Sequence, residues 1–220
     1  MKQVIQIRCK NNKKSQKVEI GSTLFDIFSA FDLKMTHGPV SARVNNKVEG
    51  MHYRVYNSKD VEFLDMTSSS GSRAYTRTLF FVLCKAVQDI YPATDVVIDI
   101  PVSNGFYVDI RLGRPVVDED VNIIRRRMQE IIDARMPIRR FTVPTEEAVA
   151  LFLEKGDIEK VKLLKTSGSI YTTYYKIGDY VDYYYGTLLT NTSQLYLFGL
   201  EKYYDGMLLR IPSLKNPDVL

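Results

Sequence analysis

Six small polar residues, Thr67-Ser68-Ser69-Ser70-Gly71-Ser72, break the hydrophobic patterns that run on either side of them. Such a composition reads as a linker, because it offers nothing to bury and little to hold one backbone conformation. A domain usually takes about 100–200 residues, so a 220-residue chain with this break is expected to fold as more than one. Apolar content of 45% with 25% charge argues against disorder. No run of about 18 apolar residues exists to span a membrane and Met1-Lys2-Gln3 opens no secretory signal, so a cytoplasmic location is expected.

Before the break, Val4-Ile5-Gln6-Ile7 and Val18-Glu19-Ile20 alternate in strand fashion on either side of the polar stretch Lys10–Lys17, which predicts a hairpin. Leu24, Ile27, Phe28 and Phe31 are three and four apart, the period of a helix face, with Ser22 or Thr23 as its cap. Strands are predicted at 40–44 and 61–64, with Asn45-Asn46 as a turn between strands. Hairpin, helix and further strands within 66 residues describe a small β-grasp unit.

After the break, Leu79, Val82, Leu83, Ala86, Val87 and Ile90 stripe a helix predicted over 73–91 and ended by Pro92. Strands are predicted at 96–100 and 106–111, joined across Ser103-Asn104-Gly105. Asp118 is expected to cap a long helix that turns Val121, Ile124, Met128, Ile131 and Ile132 inward and Arg125, Arg126 and Arg127 mostly outward, stopping at Pro137. A third helix is predicted over 145–154, and the remainder, with ten of the fifteen tyrosines between Tyr171 and Tyr204, reads as strand. Without regular alternation of strand and helix the fold class is α+β, with antiparallel sheet.

The chemistry is bounded by what is scarce. Two cysteines, Cys9 and Cys84, and two histidines, His37 and His52, are not spaced as a metal site, so no metal is expected. No GxxxxGK[ST] phosphate loop occurs. Residues 1–66 hold eleven Lys/Arg against seven Asp/Glu, the whole of the net +4. Lys10, Lys13, Lys14 and Lys17 crowd the predicted hairpin tip, where they can meet nucleic-acid phosphate or simply solvate a turn.

The first 66 residues resemble the TGS domain at the front of threonyl-tRNA synthetases, through Gly21-Ser22-Thr23-Leu24 and Ala42-Arg43-Val44-Asn45-Asn46. Residues 73–212 resemble the editing domain that follows it there and is shared with alanyl-tRNA synthetases. The words that carry this are Asn104-Gly105-Phe106-Tyr107-Val108-Asp109, Arg127-Met128, Glu147-Ala148 with Leu151-Phe152, and Gly178-Asp179-Tyr180-Val181-Asp182. The resemblance implies domains at 1–66 and 73–212, a linker at 67–72, and in 213–220 the start of a linker to a further domain.

It also implies a pocket that has lost its reactive groups. The family's HxxxH pair on the first helix falls on Arg77 and Phe81, and its Cys-x-x-x-His segment on Tyr184 and Leu188. Phe and Leu neither ligate a metal nor carry a proton, and Arg is no base near neutral pH. Lys160 and Asp182 match two polar members of the family pocket and, with Arg77, are the candidate ligand-binding residues; no catalytic residue is expected. The tail, Asp205 to Ser213 and Lys215 to Asp218, resembles the join in bacterial fusions that carry a uridine-kinase-like domain behind such a module. On that reading the chain is a non-catalytic binding module. Its partners would be the kinase domain of the same chain, RNA or a small regulatory ligand, and ATP and Mg would serve the kinase domain alone. A free-standing aminoacyl-tRNA deacylase and an RNA-binding adaptor are the alternatives.

Overall fold

The computed structural model describes residues 3–92, 94–102 and 105–220. In chain order they form β1 (Val4–Cys9), β2 (Ser15–Glu19), α1 (Leu24–Ala30), β3 (Ser41–Val44), β4 (Lys47–Glu49), β5 (Lys59–Leu64), α2 (Ser69–Ile90), β6 (Val96–Val102), β7 (Gly105–Ile110) and α3 (Asp118–Asp133). There follow β8 (Arg139–Pro144), α4 (Thr145–Glu154), α5 (Ile158–Thr166), β9 (Tyr171–Ile177), β10 (Tyr180–Tyr183), β11 (Gly199–Tyr203) and β12 (Gly206–Arg210). The class is α+β. Two compact units result, one of residues 1–136 with 187–220, the other of 137–186.

In the larger unit the first sheet runs β2-β1-β5-β3-β4, antiparallel except where β5 lies parallel to β1. A hairpin, a crossing helix and a central parallel return strand make this a β-grasp. Thr23 rather than Ser22 caps α1: its hydroxyl accepts from the Asp26 N–H at 3.2 Å while the Asp26 carboxylate accepts the Thr23 N–H at 2.8 Å. Leu24, Ile27 and Phe31 are buried with Ile7, Cys9, Ala42, Val61 and Phe63. The three-residue strand β4 was not predicted; its sequence, Lys-Val-Glu, gives too short an alternation to read.

The second sheet, β11-β12-β7-β6, is antiparallel throughout, and the predicted turn at Ser103-Asn104 lies outside the described residues. α2 and α3 pack together here, with Leu79, Val82, Leu83, Ala86, Ile124, Met128 and Ile131 all buried. α2 begins at Ser69, four residues earlier than predicted, so four of the six residues of the polar run are its first turn, capped by the Ser68 hydroxyl. A Cβ at Gly71 would stand 1.8 Å from the Asp65 carbonyl oxygen, so glycine is what lets this turn close on the preceding strand end. At α3 the cap position is Val117, not Asp118, because the Asp120 carboxylate takes the Val117 N–H at 2.9 Å. Arg125 and Arg126 are exposed, while Arg127 reaches Asp89 of α2 at 2.9 Å.

The smaller unit is a three-stranded antiparallel sheet, β10-β9-β8, with α4 and α5. Ala148, Phe152, Val161, Leu164 and Val181 form its core. Here the sequence reading needs correction, since residues 158–166 were read as strand and are helical. The apolar residues Val161 and Leu164 lie three apart and Asp157 caps the N-terminus, but the tyrosine-rich stretch that follows hid this short period.

Candidate functional site

Two local devices bring Lys160 and Asp182 together. The Asp157 carboxylate caps α5 by accepting the Lys160 N–H at 3.1 Å, which sets Lys160 one turn into the helix. The β9–β10 hairpin turns over Gly178-Asp179, with Gly178 at φ 56, and its register sets Asp182 opposite Tyr175. The Lys160 Nζ then donates to Asp157 at 2.7 Å and to Asp182 at 2.8 Å, and lies 5.8 Å from the centre of the Phe152 ring. Asp182 is buried and also accepts the Tyr180 hydroxyl at 2.9 Å and the Tyr183 N–H at 2.6 Å.

Burial pulls the Lys160 ammonium pKa down, but the Asp182 charge and the hydrogen bonds to Asp157 and Asp182 more than offset this and leave it above the ordinary lysine value. Lys160 is therefore a fixed cation at neutral pH and not a base. An ammonium has three N–H donors, and among the described residues only two of these have an acceptor. Asp157 and Tyr180 were not singled out from the sequence. The Gly156-Asp157 pair before Ile158, a helix-start signal, was available for the first; nothing in the sequence marks the second.

The other predicted positions are described unit by unit. In the larger unit Phe81, on α2, and Leu188 are both fully buried. The Thr78 hydroxyl accepts the Leu189 N–H at 2.9 Å, which ties the Leu188-Leu189 segment to α2 one turn from Phe81. Arg77, also on α2, is half-buried and engaged, and Tyr184, in the smaller unit, is half-buried and engaged as well. The donor set at these four positions, a guanidinium, a phenol and two hydrocarbons, does not fit zinc. Among the described residues no three His, Cys, Asp or Glu side chains group to hold a metal ion.

Lys10, Lys13, Lys14 and Lys17 are all exposed around the β1–β2 turn. The turn is held from below: Asn11 accepts the Phe63 N–H at 2.8 Å and donates to the Phe63 carbonyl at 2.9 Å, and Lys13 takes φ 60. No ion pair involves these four lysines among the described residues. No helix there is long and apolar enough to cross a membrane.

Sequence comparison adds the ancestry. The chain is 30% identical over 193 residues, 87% of its length, to the threonine–tRNA ligase of Clostridium kluyveri. It is 30% identical over 204 residues, 88% of its length, to that of Syntrophotalea carbinolica, and 29% identical over 181 residues, 82% of its length, to that of Acetivibrio thermocellus. Most of the chain is threonyl-tRNA synthetase-like. It spans 30%, 32% and 28% of those relatives respectively, less than a third of each. No family model matches it.

Proposed function

We propose that this synthetase-like chain is a TGS-plus-editing module that binds rather than hydrolyses, its ligand held by Lys160. The observation that carries the reading is the unspent N–H of a lysine fixed as a cation between two carboxylates. With its side chain 30% exposed, the lysine can offer that N–H to water or to a ligand oxygen, such as the carboxylate of an amino acid or the ester carbonyl of an aminoacyl group. Asp182, with three donors already, orients the lysine. Hydrolysis needs a group that takes a proton near neutral pH, and Arg77, Phe81, Tyr184 and Leu188 supply none.

Two measurements test this. Titration of the chain with serine and threonine should give saturable binding that Lys160→Met abolishes, and incubation with seryl- or alanyl-tRNA should release no amino acid. Turnover lost on Lys160→Ala would establish the deacylase instead. Metal analysis is expected to find no stoichiometric zinc. The RNA-adaptor reading rests on the four exposed lysines and requires steeply salt-dependent binding that weakens when Lys13, Lys14 and Lys17 are neutralised.

The uridine-kinase-like parent, with its ATP and Mg, rests on the tail sequence; the relatives quoted above are tRNA ligases. A phosphate loop encoded downstream of Leu220 would establish it.

A further inference from the structure

In the larger unit, at one end of the β-grasp sheet, the β3–β4 turn, the start of β5 and Tyr53 line an open concavity of about 440 Å³, within the size range of small-molecule sites. Its rim is built, not frayed. Asn45, at φ 53, donates its N–H to the Asp60 carbonyl at 2.7 Å and accepts the Asp60 N–H on its side chain at 3.1 Å, which locks the turn to β5. The Lys47 ammonium is tethered at 2.8 Å by Glu49, which is buried. Lys59, Asn46 and Tyr53 also line the concavity, and none has a side-chain hydrogen bond or ion pair among the described residues.

Glu49, which also lines the concavity, offsets Lys47, so the lining carries a net single positive charge and, with Lys59, the Asn46 amide and the Tyr53 phenol unspent, suits a singly charged group with several acceptor oxygens. Lysine, as a point charge, is the common partner of phosphate. We propose that this concavity is a phosphate-binding site, with Lys59 neutralising the anion and Lys47, Asn46 and Tyr53 donating to it. It is separate from the lysine-rich β1–β2 tip. β1 runs parallel to β5, from Ile7 opposite Lys59 to Cys9 opposite Val61, so the tip leaves the sheet at the end away from Lys59. The phosphate belongs either to a small phosphorylated molecule or to an RNA strand.

The test is an amide-resolved NMR titration of the whole chain with inorganic phosphate, AMP and a short single-stranded RNA, against sodium chloride at matched ionic strength. Saturable shifts at Asn46, Lys47 and Lys59 are expected. Lys59→Gln should weaken phosphate binding about tenfold and Tyr53→Phe by less, while Lys13→Gln should leave it unchanged. RNA displacing AMP from these residues would assign the strand as the source, and AMP binding that RNA does not displace would assign the small molecule. Shifts that rise linearly and are matched by chloride, shifts centred on residues 10–17, or full binding by Lys59→Gln would overturn the site.

Discussion

Two carboxylate–cation clusters in this molecule use the same chemistry and differ in what they join. In the larger unit the Asp120 carboxylate accepts four hydrogen bonds: Arg114 at 2.6 and 2.8 Å, the Tyr91 hydroxyl at 2.6 Å and the Val117 N–H at 2.9 Å. These join the end of α2, the loop before α3 and the first turn of α3, and both oxygens are filled. In the smaller unit Asp182 is filled in the same way, but the cation facing it is a lysine with one donor to spare. Arg114 spends three of its five N–H donors, two on Asp120 and one on the Pro115 carbonyl, so both cations keep donors in reserve. What separates the two is what they join: Asp120 ties the end of α2 to the start of α3, whereas Asp157 and Asp182 fix one partly exposed lysine between α5 and β10.

The largest expected effect breaks the comparison on the structural side. Asp120→Asn keeps the shape but turns an acceptor-only group into one that donates towards Arg114, and should cost about 2–3 kcal/mol in urea unfolding. Serine or threonine binding should survive. A loss below about 0.5 kcal/mol would mean the cluster is not what anchors α3. Next comes Lys160→Met, which leaves Asp182 with two donors and removes a partly exposed cation. It should cost only about 1 kcal/mol while abolishing ligand binding, the reverse pattern to Asp120→Asn.

Acid and alkali should separate the clusters too. Arg114 above all, helped by Tyr91 and Val117 against the cost of burial, holds Asp120 far below the usual carboxylate range. Its contribution is complete above the unfolded value of about 3.9 and is lost as pH falls below that towards the folded value. Lys160 is raised, so its contribution is complete below about 10.4 and is lost as pH rises through its folded value. Unfolding midpoints followed across pH should show an acid slope that Asp120→Asn flattens and an alkaline slope that Lys160→Met flattens. Neither slope should enter the neutral range.

What the sequence disclosed follows the same division between local and convergent features. The α1 cap, the stripe of α2 and the bounds of α4 came from periodicity and from residues adjacent in the chain, which local patterns encode. Lys160 and Asp182 were reached through the resemblance and Gly178-Asp179, not through any pattern that places residues 22 apart within 2.8 Å. Asp157 carried a local helix-start signal that went unused, Tyr180 is two residues from its partner with nothing to mark it, and the concavity beside Lys59 was not legible because it depends on register between elements distant in sequence. The α5 helix was missed because nine residues give barely two turns of apolar period.

The finest test concerns Asp157, which performs two roles with its two oxygens: Oδ1 accepts the Lys160 N–H as helix cap, and Oδ2 accepts the Lys160 ammonium. Asp157→Asn retains a capping oxygen, since Asn caps as well as Asp, and removes only the charge. The change in stability should stay within about 0.5 kcal/mol, against about 1 kcal/mol for Asp157→Ala, which loses the cap. The alkaline slope attributed to Lys160 should nevertheless move to lower pH in Asp157→Asn, because one of the hydrogen bonds that raise the ammonium has lost its charge. An unchanged alkaline slope would assign the lysine to Asp182 alone and make Asp157 a cap with no part in the site.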